Sequence, residues 1–127
     1  MSWYDISYDA VVADKRDPTA YLPLTSAVFH VLLSVADGQK HGYAILKEVE
    51  ARTDGSVRLS TGTLYGIIKR MLQDGWIRES VLGSTDRRRA YRMTAFGRKI
   101  AMAEANRLRD LVRVAESKAL YSVPSEG

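Results

Sequence analysis

Between Ser60 and Thr94 the sequence places a capping serine, two glycines four apart, and further on the cluster Arg87-Arg88-Arg89. Each residue type has a physical use. The Ser60 hydroxyl can accept from an unpaired amide in the first turn of a helix. Gly62 and Gly66 strip side chains from part of that helix, so another molecule's backbone can come close. The arginines follow the turn residues Gly83-Ser84-Thr85-Asp86 and place guanidinium groups on the tip of a hairpin. A bare helix beside a basic hairpin suits a nucleic-acid duplex: one element reads base edges in a groove, the other holds phosphates. Thr63, Tyr65 and Lys69 are the groove candidates; Tyr65 has a competing role, packing against the second helix with only its hydroxyl left for a phosphate. Ser60, Thr61 and Arg70 are phosphate candidates, with Gly62 giving close approach. Arg87, Arg88 and Arg89 fit the backbone or the minor groove.

Charge distribution agrees. The chain has 127 residues and a net charge of +4. From Lys69 to Lys99 there are nine basic residues against three acidic ones, so the remainder is net acidic. A localised basic face suits a polyanion.

Other chemistries find little support. With no cysteine, disulfides and thiolate catalysis are excluded. His30 and His41 are the only histidines, and no carboxylate cluster joins them to make a metal site. There is no glycine-rich loop followed by Lys-Ser/Thr. Ser60-Thr61-Gly62-Thr63 resembles a phosphate loop only superficially; the anion at that helix start is better read as a DNA phosphate. Neither an enzyme nor a cofactor is expected. The longest apolar stretch, Ala27–Ala36, is interrupted by His30 and Ser34 and falls short of the roughly 20 residues of a membrane span. The first residues lack a basic start and apolar run, so a cytoplasmic location is the default expectation.

The elements that must position these residues follow from periodicity. Leu24, Ala27, Val28, Val31, Leu32 and Val35 recur at three- and four-residue spacing and predict a helix over Leu24–Ala36. A second helix runs from His41 to about Thr53, with Tyr43, Ile45, Leu46 and Val49 apolar. A third, Ser60–Asp74, buries Leu64, Ile67, Ile68, Met71 and Leu72, and Gly75 stops it. Trp76–Leu82 and Arg89–Met93 alternate and predict a two-stranded hairpin. Thr94 caps a fourth helix reaching about Ala119, about 37 Å long. Its stripe of Ile100, Ala103, Leu108, Leu111, Val112 and Ala115 is longer than so small a body can cover, so a second chain is expected to cover it; the alternative is that the helix folds back onto the first helix and the N-terminal arm. The expected organisation is an N-terminal arm (1–22), a DNA-binding unit (23–94), a dimerisation helix (95–120) and a short tail (121–127). The fold class is mainly α: a winged helix-turn-helix, three helices plus a two-stranded wing, with a long C-terminal dimerisation helix.

These segments resemble the PadR family of transcriptional regulators. The resemblance is carried by Leu24–Leu33, His41-Gly42-Tyr43-Ala44-Ile45, Gly62-Thr63-Leu64-Tyr65, Leu72-Gln73-Asp74-Gly75-Trp76-Ile77 and Arg87–Gly97, in the family's order and spacing. It implies a homodimer that binds double-stranded DNA at a palindromic operator and usually represses transcription. Family members often respond to a small aromatic or amphipathic effector; Trp3, Tyr4, Tyr8, Trp76 and the fourth helix are candidates to line its pocket. Many members have Pro before the Gly-Thr-Leu-Tyr motif. This chain has Thr61 there, and a first-turn threonine can also bond a phosphate. Two competing readings stay open at this point: a winged-helix module for RNA or replication, and a protein-interaction module that does not bind DNA.

Overall fold

The computed structural model describes residues 14–80 and 89–120. Within them four α-helices surround one side of a small antiparallel sheet. In chain order these are α1 (Ser26–Ser34), β1 (Lys40–His41), α2 (Gly42–Arg52), α3 (Thr61–Gln73), β2 (Ile77–Ser80), β3 (Ala90–Met93) and α4 (Ala95–Ser117). This is the winged helix-turn-helix expected from the sequence, with one addition. Lys40–His41 pairs with β3, so the wing's second strand is the centre of a three-stranded sheet ordered β1-β3-β2. Two residues carry no readable periodicity, and the sequence pattern gave no hint of this strand.

Side-chain oxygens cap three of the helices. Thr25 accepts from Val28 N, Ser60 from Thr63 N, and Thr94 from Gly97 N, each satisfying an amide of the first turn. α1 is shorter than its periodic pattern because Leu24 lies in the extended entry, where its amide is used elsewhere. The core joins Val31, Leu32, Ile45, Val49, Leu64, Ile68, Met71, Trp76, Ile77, Tyr91, Phe96 and Ile100. α2 is tied to α1 by Arg52, which donates to Ser34 Oγ at 3.1 Å and pairs with Glu48 at 2.7 Å.

Residues 14–22 fold onto the body. Pro18–Tyr21 makes a single 3-10 turn. Tyr21 meets Trp76 and Phe96 edge-on, at 5.4 and 5.9 Å between ring centres. The Arg16 guanidinium lies 4.0 Å over the Phe96 ring and donates to Asp74 O at 2.8 Å. Trp3, Tyr4 and Tyr8 lie outside the described residues.

The seating of α4 is tight. Thr94 Oγ1 donates to Gly75 O at 2.6 Å, and Thr94 N donates to Trp76 O at 3.0 Å. Gly75, at φ +77°, occupies the left-handed region that favours glycine, and Gly97 sits directly against the Trp76 carbonyl. A Cβ at Gly97 would collide with backbone, which cannot swing aside. Gly97→Ala is expected to lower stability by about 3 kcal/mol, the upper end of overpacking costs. Urea unfolding should show a lower midpoint at unchanged slope.

Candidate nucleic-acid interface

α3 is two-faced. Leu64, Ile68 and Met71 are buried. At 3.6 residues per turn, Gly62, Gly66, Lys69 and Gln73 fall on the opposite side, and all four are exposed. Nothing lies within 4 Å of where a Cβ would sit on Gly62 or Gly66. The exposed face therefore has backbone open to solvent at its centre, with Lys69 beside it.

The flanks of this face differ. On one, Ser60 Oγ accepts from Thr63 N at 3.1 Å and contacts Thr63 Oγ1 at 2.9 Å. The Ser60 hydroxyl is thus engaged in its own helix cap, while Thr61 beside it is exposed. Thr63 and Arg70 also border a cavity of about 530 Å³ between α3 and the entry to α1, which Tyr21, Leu24, Val28, Met71 and Trp76 help to line. Trp76 lines this cavity, with its other walls from the entry to α1, from α1, from α3 and from the 3-10 turn; no α4 residue lines it.

On the other flank Tyr65, 44% exposed, leans on the start of α2. Its hydroxyl abuts Gly42, where a Cβ would overlap it. Tyr65 thus packs on the second helix and still presents a wet edge. Beside it Tyr43 is 59% exposed, and Lys47 Nζ stands 5.4 Å from the Tyr43 ring centre. Neither Tyr43 nor Lys47 was singled out from sequence as part of this surface. The His-Gly-Tyr motif was the signal that could have found Tyr43, and Lys47 follows one turn later. Lys40, by contrast, is committed to Asp37 at 2.8 Å and Glu48 at 3.3 Å.

At the wing, Arg89 enters β3 and pairs across the hairpin with Glu79 at 3.4 Å, leaving 70% of its side chain exposed. Arg78 and Arg92 stand opposite each other in the β2–β3 register. Arg87 and Arg88 lie outside the described residues.

The stripe on α4 divides in two. Ile100 is fully buried in the chain's own core, which corrects its assignment to a dimer surface. It faces inward because the first two turns of α4 lie over α1. Ala103 is half-buried. Beyond Arg107 the helix leaves the body: Leu108, Leu111 and Val112 are exposed, joined by Val114, and Ala115 is partly covered. Among the described residues no helix is long and apolar enough to cross a membrane, and no group of three or more His, Asp or Glu could hold a metal ion.

A helix pair presenting a bare second helix, followed by a β-hairpin wing, defines the winged-helix class. Within that class, the model of the PadR-like family of transcriptional regulators matches residues 31–103, and the chain belongs to that family. No curated protein matches the sequence. Solved structures do. A transcriptional regulator from Clostridium thermocellum is 26% identical at a TM-score of 0.62, covering 71% of this chain and 89% of its own. A PadR family regulator from hypervirulent Clostridium difficile is 22% identical at 0.59, covering 74% and 99%. A PadR-like transcription factor from Bacteroides fragilis is 15% identical at 0.61, covering 72% and 87%.

The Gly42–Tyr65 contact makes a test. Gly42→Ala should cost about 1–2 kcal/mol by displacing the tyrosine ring. In a Tyr65→Ala background that cost should vanish, giving a coupling of about 1–2 kcal/mol in a double-mutant cycle followed by thermal unfolding.

Proposed function

We propose that this chain is a homodimeric repressor that binds a palindromic operator and is released by a small-molecule effector. The observation that carries the reading is the open face of α3, backbone-bare at Gly62 and Gly66 and flanked by Lys69 and Arg70, in a member of a transcription-regulator family. α3 is the recognition helix. It enters the major groove, with Thr63, Tyr65 and Lys69 at base edges or groove walls. Thr61 and Arg70 hold phosphates, Ser60 fixes through its cap the first turn that presents Thr61, and Gly62 lets the helix approach closely. Tyr43 and Lys47 add a backbone contact from α2, where the first helix of such a pair crosses the phosphates. Arg87, Arg88 and Arg89 extend the grip from the wing.

Two chains pair through the exposed part of α4, Leu108, Leu111 and Val112, with Ala103 and Ala115 at the margins. That pairing sets two recognition helices about 34 Å apart, one turn of the duplex. The 530 Å³ cavity beside α3 has the volume of a small-molecule site and is apolar on most sides, which suits an amphipathic effector. Its walls include recognition-helix residues, so filling it would act directly on the reading surface.

Three outcomes test this reading. Gly62→Ala should raise stability by about 0.5 kcal/mol, because glycine is a poor helix former. It should also weaken duplex binding about tenfold, ~1.4 kcal/mol, by blocking close approach. Calorimetry and fluorescence anisotropy on one preparation would read both. Arg87→Ala with Arg88→Ala should flatten the dependence of log affinity on log salt by up to roughly two units, since each phosphate contact contributes about −0.9. An unchanged slope would remove the wing from the interface. Leu111→Glu with Val112→Glu should convert dimers to folded monomers in sedimentation velocity.

A further inference from the structure

α4 carries a buried carboxylate where a small apolar side chain would fit the pattern. Glu104 is 1% exposed. It accepts from the Leu24 backbone amide at 3.0 Å, eighty residues away in sequence, and from Arg107 on the next turn. The Arg107 guanidinium holds the Glu104 carboxyl below its usual range, against the opposing effect of burial, and the Leu24 amide helps. A second link is made at the end of the first turn of α4. Arg98 Nη2 donates to Ala36 O at 2.7 Å. Leu24 lies just before the N-terminal cap of α1, and Ala36 lies just past its end. The long helix is therefore fastened to both ends of α1, with Ile100 and Ala101 buried between the fastenings.

We propose that Glu104 and Arg98 are positioning residues that fix the angle of α4 on the DNA-reading unit and so set the half-site separation that the dimer accepts. The proposal rests on the dimer reading above. Thr94 and Gly97 pin only the start of α4 at the end of α3; beyond that pivot Ile100 and Ala101 are apolar contacts, which are not directional and would leave the helix free to tilt on α1. Two hydrogen-bonded links, six residues and about 9 Å apart along α4, remove that freedom. A buried charge is a poor device for stability alone, because its desolvation cost offsets much of the attraction. Its geometric demand is what distinguishes it from a leucine. The lever is long: from Glu104 to Ser117 the helix runs roughly 20 Å, so a tilt of about 10° moves one end by about 3.5 Å. That is about one base-pair step, ~3.4 Å.

The test uses the full chain. Wild-type protein selects duplexes from a random pool. The selected half-site is then rebuilt as inverted pairs moved apart or together in single base-pair steps. Wild type should lose about tenfold in affinity per step, within the range of a mismatch cost. Arg98→Met and Glu104→Leu should flatten this profile to about threefold or less while binding to an isolated half-site changes less than about twofold. Glu104→Gln, which keeps an acceptor for the Leu24 amide, should restore most of the selectivity. Arg98 is exposed, so Arg98→Met carries the test alone should Glu104→Leu fail to fold. A uniform fall at every spacing, or a profile unchanged in folded variants, overturns the clamp and leaves the repressor reading standing. A wild-type protein that selects no inverted repeat overturns both.

Discussion

The structure depends on how the first turn of α4 is seated on the end of α3. Thr94 uses its hydroxyl twice, accepting from Gly97 N to cap its own helix and donating to Gly75 O across the junction. Its amide takes the Trp76 carbonyl, and Gly97 leaves no side chain to hold the surfaces apart. Through this one contact the reading helix, the root of the wing and the long helix become a single body. Tyr21, standing on both Trp76 and Phe96, closes the same junction from the N-terminal side.

From that seat α4 changes character along its length. Its first three turns pack on the core through Phe96, Ile100 and Ala101, and there Arg98 and Glu104 reach the two ends of α1. Past Arg107 its apolar residues face solvent within one chain. A continuous helix anchored at one end is a stiff extension of the body. Exposed leucine and valine on such an extension have a purpose only if something covers them.

Much of this was legible in the sequence. Ser60 and Thr94 announced helix starts by their chemistry, and the Leu64, Ile68, Met71 spacing announced the buried face of α3. What escaped depended on distance through space. A two-residue strand at Lys40–His41 has no period to read, and only its pairing with β3 defines it. Ile100 and Leu111 look alike in a helical stripe, because periodicity gives the direction a residue faces and not whether its own chain lies there. Glu104 reads as a surface acid until the Leu24 amide is found against it. The pairing of Glu79 with Arg89 runs along a diagonal of the hairpin, which only the strand register defines.

The residues of α3 are not equally free to vary. Leu64, Ile68 and Met71 answer to the core, Tyr65 to Gly42, and Ser60 with Thr63 to the helix cap. Gly62, Gly66, Lys69 and Gln73 project away from the body, and no neighbouring side chain presses on either glycine. Substitutions at these four positions therefore leave the packing of α3 on the body untouched, and their effects fall on whatever meets that face.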